Sequence, residues 1–129
     1  MTRDKAEYIK NWLFRANDNI AVIKSLVNDG AEFHTSSICF HAQQASEKFL
    51  KAFLAYHDVD FPRTHDLDFL LLECQKINKE AFQIDFKSLT DFGVSVRYPD
   101  DFYIPDEEEA LEYRDTAISV KEIVERLIK

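Results

Sequence analysis

Four side chains, His41, Gln44, Lys48 and Lys51, recur at i, i+3, i+7 and i+10. On a helix that spacing gathers them along one stripe. An imidazole, a carboxamide and two ammonium groups in a row can hold a phosphate or a base edge. A solvated helix face gives the same pattern. His65-Asp66 is a second candidate, at a predicted helix start where backbone N–H groups point outward and bind anions. Plain capping is the alternative there. Arg97-Tyr98, directly before Pro99, is a third. An arginine beside an aromatic ring can stack on or clamp a nucleotide. It can equally pair with a following acid, since eight acidic residues and one arginine lie between Asp100 and Asp115, a local balance of −7.

Other chemistries find little support. The acidic run lacks the spacing and glycine of a calcium loop and reads as a solvated first turn of a helix. Cys39 and His41 are two apart, so on a helix they point to different sides. No serine sits in a Gly-x-Ser-x-Gly turn. Nothing marks two carboxylates for acid–base work. The residues therefore mark no catalytic group, metal ligand set or cofactor.

The elements that must carry these side chains read as helices. Ala6, Ile9, Leu13, Ala16, Ile20, Ile23 and Val27 form one apolar stripe, predicting a helix from about Arg3 to Val27 that stops at Asn28-Asp29-Gly30. A second helix is predicted from about His34 to His57, capped by Thr35 or Ser36. Its apolar stripe is Ile38, Ala42, Ala45, Phe49, Ala52, Phe53 and Tyr56, beside the polar stripe above. Thr64 is the expected cap of a third helix using Leu67, Leu70, Leu71, Cys74 and Ile77. Residues 86–98 are ambiguous. Phe92 to Val96 alternates like a strand, but a lone strand has nothing to pair with, so a short helix is expected. Arg97 to Pro105 is a loop by its prolines. The last helix is predicted from about Asp106 to Ile128, with acids in its first turn and Lys121, Arg126 and Lys129 toward its end.

Composition narrows the class. The 129 residues include two Gly and three Pro. β folds and glycine-cradled phosphate sites need more turn formers than that. One domain over residues 1–129 is expected, an all-α antiparallel up-and-down bundle of four to five helices. The net charge of −8 argues against non-specific binding to bulk nucleic acid. Cys39 and Cys74 read as buried free thiols suited to a reducing cytoplasm. The first residues carry charges of both signs with no apolar block, unlike a secretory signal, and no stretch is long enough to span a membrane. A soluble cytoplasmic protein is expected.

Cys39 to Ala52, read Cys-Phe-His-Ala-Gln-Gln-Ala-Ser-Glu-Lys-Phe-Leu-Lys-Ala, resembles the second-helix signature of HEPN domains, the higher eukaryote and prokaryote nucleotide-binding family. Thr64-His65-Asp66-Leu67 followed by Leu70-Leu71 is similar to that family's next helix start, and Arg97-Tyr98-Pro99 to its loop. The resemblance covers about residues 5–128. It implies a homodimer, a minimal nucleotidyltransferase as partner, and a nucleotide or RNA ligand. Many such proteins are metal-independent endoribonucleases, often toxins in toxin–antitoxin pairs, with an Arg followed after four to six residues by a His. Here Arg97 fills the first position, but Phe102, Tyr103 and Ile104 fill the candidate second positions. Phenylalanine moves no proton, and tyrosine titrates near 10, too high to replace histidine near neutral pH. In some pairs the nucleotidyltransferase modifies a tyrosine just after the missing His; Tyr103 lies close to that place but out of register. The expected function is therefore a non-catalytic module that binds a nucleotide or a nucleotidyltransferase. The alternative is a ribonuclease using Arg97 with a displaced proton-transfer group.

Overall fold

The fold was taken from a computed structural model that describes residues 1–93 and 103–128. Four helices carry it: α1 (Arg3–Gly30), α2 (Thr35–Tyr56), α3 (Leu67–Ile77) and α4 (Glu107–Leu127). Short 3-10 turns cover Ala31–Phe33 and Leu89–Gly93. Among the described residues there is no strand, and the fold is all-α. No described helix is long and apolar enough to cross a membrane.

α1 begins where the Thr2 hydroxyl accepts the Lys5 N–H at 3.1 Å. Ile9, Ala16 and Ile23 bury its inner stripe, while Ala6 is exposed and takes no part. It stops at Gly30, whose φ of 138° suits glycine; a β-carbon there would also lie 2.7 Å from the Phe33 ring. α2 follows almost at once. Its N-cap is His34, which makes no side-chain cap, so neither Thr35 nor Ser36 plays the expected role. His34 is instead tied to Asp29 at 2.6 Å.

α2 is the centre of the molecule, packed by α1, α3, α4 and the Leu89–Gly93 turn. Ile38, Cys39, Ala42, Ala45, Phe49, Leu50, Ala52, Phe53 and Leu54 are all buried on it. A helix covered on this many sides has no solvated face to spare. Most of its polar residues find partners inside the protein, although the buried Ser46 hydroxyl has none.

α3 is capped by Asp66, not by Thr64. The Asp66 carboxylate accepts the N–H groups of Asp68 and Phe69 at 3.0 and 3.2 Å, while the Thr64 hydroxyl accepts the N–H of Asp66. The segment after α3 is irregular and anchored by buried Phe82 and Phe86, with Phe82 4.7 Å from Phe53 between ring centroids. The ambiguous stretch forms a 3-10 turn over Leu89–Gly93; residues 94–98 of that stretch lie outside the described residues. α4 starts at an Asp106 cap and buries Ala110, Tyr113, Ala117, Val120 and Val124 against α2.

Candidate functional site

The stripe on α2 does not stay together as one solvated face; it divides between two neighbourhoods. The first centres on Glu47, which is 3% exposed. One carboxylate oxygen accepts from the Lys51 ammonium at 3.0 Å, one turn along the helix. The other accepts from His65 Nδ1 at 2.7 Å and from the Gln43 amide at 3.3 Å. Lys51 is only 5% exposed, and its ammonium lies 5.4 Å from the Trp12 ring centroid and 5.7 Å from that of Phe61. A carboxylate and two aromatic rings together replace the water it has lost. Lys51 is thus an internal cation, not part of a solvated binding face.

Gln43 is fully buried and links the same residues. Its Nε2 also donates to the His65 carbonyl at 3.0 Å, and its Oε1 accepts from Gln44 at 2.7 Å. Gly93 lies directly on this amide: a β-carbon there would come within 2.6 Å of Gln43 Cδ. The Leu67 N–H donates to the Thr90 hydroxyl at 3.0 Å, which fixes the Leu89–Gly93 turn to the start of α3. Three separate stretches therefore meet at Glu47 and Gln43: the middle of α2, the connection before α3, and the turn that leads toward Arg97. Because a carboxylate only accepts, His65 presents Nδ1–H to Glu47. Its side chain is otherwise largely exposed, with Nε2 left for other contacts.

The second neighbourhood lies between α1 and α2 and centres on Asn19, buried at a core position of α1. Lys48 donates to Asn19 Oδ1 at 2.9 Å, and the Asn19 amide lies 2.8 Å from His41 Nδ1. Lys48 fixes the amide orientation, so its NH2 group donates to His41 and the imidazole accepts at Nδ1. Burial, then the Lys48 ammonium, hold the His41 pKa below its ordinary value, against an opposing pull from Asp18. Lys48 is also held down, first by burial and then by Arg15 among its like charges, with Glu47 and Asp18 opposing. A cavity of about 290 Å³ opens beside it, lined by Tyr8, Asn11, Trp12, Arg15 and Lys48.

Of the remaining candidates, Asp66 is occupied as the α3 cap, the plainer of its two readings. Arg97 and Tyr98 lie outside the described residues. Tyr103 is exposed and donates to Glu109 at 2.8 Å, a bond that raises its pKa. Both thiols are free and buried; burial pushes Cys39 up to about 12 and Cys74 higher still. Among the described residues no group of three or more His, Cys, Asp or Glu is placed to hold a metal ion.

Sequence reasoning missed Asn19, Gln43, Glu47, Trp12 and Arg15. Two of these left a signal. Asn19 falls within the apolar stripe of α1, between Ala16 and Ile23, where a polar residue needs an internal partner. Glu47 and Lys51 stand at i, i+4, the spacing of a helical ion pair.

Comparison with known proteins places this geometry in a family. A search of curated proteins returns no match. The chain is similar in fold to the crystal structure of an archaeal HEPN homologue, with a TM-score of 0.67, 22% identity and full coverage of both chains. The profile of the HEPN domain matches residues 9–127, nearly the whole chain, and so the protein belongs to the HEPN domain family.

Proposed function

We propose that this protein is a non-catalytic HEPN module that binds a nucleotide or a partner minimal nucleotidyltransferase. It acts as a cytoplasmic homodimer in a pair of the toxin–antitoxin kind. One observation carries the reading: two motif-bearing stretches, the middle of α2 and the connection that holds His65, meet at the buried carboxylate of Glu47 and the amide of Gln43, with the Gly93 turn against that amide. A buried ionic network contributes little net stability but can specify one conformation. Here it fixes His65 at the surface, beside the turn that precedes Arg97 and Tyr98. The absence of His at positions 102–104 favours binding over cleavage. Calorimetry with ATP, GTP and short RNA, together with a pull-down for a nucleotidyltransferase, tests it. Binding in either assay supports the module, and none in both removes it.

A specific feature favours a second reading, the metal-independent endoribonuclease. His65 gives Nδ1–H to buried Glu47 and leaves Nε2 outward, which is how a carboxylate orients a proton-transfer imidazole. RNA cleavage in chelator, lost in both Arg97→Ala and His65→Ala, would establish this reading. Intact RNA under the same conditions removes it.

A further inference from the structure

The Tyr8–Lys48 cavity brings together two cations from different helices. Tyr8, Asn11, Trp12 and Arg15 stand at i, i+3, i+4 and i+7, so α1 presents them along one face, and Lys48 joins them from α2. Neither Arg15 nor Lys48 is in an ion pair among the described residues, which is also true of Arg3, Lys10, Lys24 and Lys79; what sets these two apart is that they line one cavity close enough to repel each other. Lys48 spends one donor on the neutral Asn19 amide and retains two more. The Trp12 indole N–H is buried and has no acceptor. An unmet buried donor is costly, and natural proteins keep few of them.

We infer that this cavity is a binding site for a phosphate monoester. Two cations and the Asn11 amide supply a set dominated by donors, which calls for an anion with several acceptor oxygens. A phosphate monoester has three terminal oxygens and up to two charges; a carboxylate has two oxygens and one. A fork-shaped guanidinium with a point-charge ammonium suits such a group. The anion also relieves the repulsion between Arg15 and Lys48. The volume of about 290 Å³ sits at the lower end for small-molecule sites, enough for a phosphate and a modest organic group. Half-exposed Tyr8, edge-on to Trp12 with ring centroids 6.1 Å apart, offers apolar surface to that organic part. The assignment rests on the binding-module reading and gives it a ligand class.

Trp12 is the single tryptophan of the chain, so its fluorescence reports on this cavity directly. The full-length protein is titrated at constant ionic strength with inorganic phosphate, AMP, adenosine, and a short RNA with either a 5′-phosphate or a 5′-hydroxyl. The expected result is a saturable change with phosphate and AMP and none with adenosine. The two RNAs separate a free metabolite from an RNA end: a response to the 5′-phosphate form alone adds the RNA end as a source. Arg15 is exposed, so Arg15→Ala should leave the melting curve intact and weaken AMP by about tenfold or more. Lys48→Met should weaken AMP as much and also lower the melting point, because the buried Asn19 carboxamide loses its donor. Equal responses to AMP and adenosine overturn the inference, as does no saturable response to any phosphate probe. Calorimetric nucleotide binding that survives Arg15→Ala overturns this site and leaves the binding module standing. No binding by calorimetry and no captured partner removes the module itself.

Discussion

The Glu47 neighbourhood on α2 and the Arg15–Lys48 cavity between α1 and α2 adjoin at Glu47 and Lys48, yet the charges of one are paired and those of the other are not. Glu47 meets an ammonium, an imidazole and an amide, and Lys51 meets a carboxylate and two rings. Arg15 has no ion pair among the described residues, Lys48 bonds a neutral amide, and the Trp12 N–H bonds nothing. Groups that satisfy one another serve the fold first. Charged groups left unpaired at a cavity, as Arg15 and Lys48 are, remain available to something outside it. The pattern of missing partners, more than the residue types, separates structure from function here.

The largest effect should come from breaking the paired side. Glu47→Ala strands the Lys51 ammonium in an almost dry site and releases His65 and Gln43. The expected loss is about 3–5 kcal/mol in denaturant unfolding. Replacing both partners, Glu47→Leu with Lys51→Met, should recover most of it, because the cost lies in the unpaired charge. A small loss in the single variant would mean that Lys51 escapes to water, and the contrast between the two regions would fail.

Gly93→Ala should come next. Its β-carbon would sit 2.6 Å from a Gln43 amide that is fully buried and held by several partners. Overpacking of that kind costs about 1–3 kcal/mol, read as a lower denaturant midpoint. The variant also shifts the turn before Arg97, so binding or cleavage that depends on Arg97-Tyr98 should fall with it. An unchanged midpoint would show that the turn is free to move off Gln43.

These two sites also show what was legible in the sequence. The helices were, because apolar residues recur every three or four positions and the few Gly and Pro residues mark the breaks. α4 and its acidic start fall close to where the pattern puts them. The polar stripe was legible as a stripe, but its exposure was not. Periodicity along one helix says which residues share a face; it does not say how many other helices cover that face. With α2 at the centre, Lys51 lands inside, and Glu47 becomes the residue on which others depend. Likewise Asp66 and Thr64 are both good caps, and only the backbone path chooses Asp66. Trp12 and Arg15 lie one helix away from the residues they join, a juxtaposition that spacing within α2 cannot carry.

A smaller effect concerns pH. His41 titrates below its ordinary value of 6.5 in the folded protein, through burial and the nearby Lys48. The unfolded chain therefore binds its proton at higher pH than the folded one. Stability is undiminished above the unfolded value and is lost as pH falls through it toward the folded value. His41→Gln keeps a hydrogen-bonding group beside Asn19 and removes that titration. Its unfolding free energy should decline less steeply than wild type over this window. An identical slope would place His41 in water and loosen the second neighbourhood.

The smallest effect on stability, and the sharpest for the comparison, is expected from Arg15→Ala. An exposed side chain without an internal ion pair should change unfolding free energy by no more than about 0.5 kcal/mol. The sign can even favour the variant, since Arg15 depresses the Lys48 ammonium and its removal relieves like-charge repulsion. A loss above about 1 kcal/mol would mean that Arg15 packs for the fold, its methylene stem covering Trp12 or Tyr8. The cavity would then be structural, and the two regions would no longer differ in kind. A neutral effect on folding, paired with lost phosphate binding, means instead that the groups the fold leaves unpaired are the ones a ligand uses.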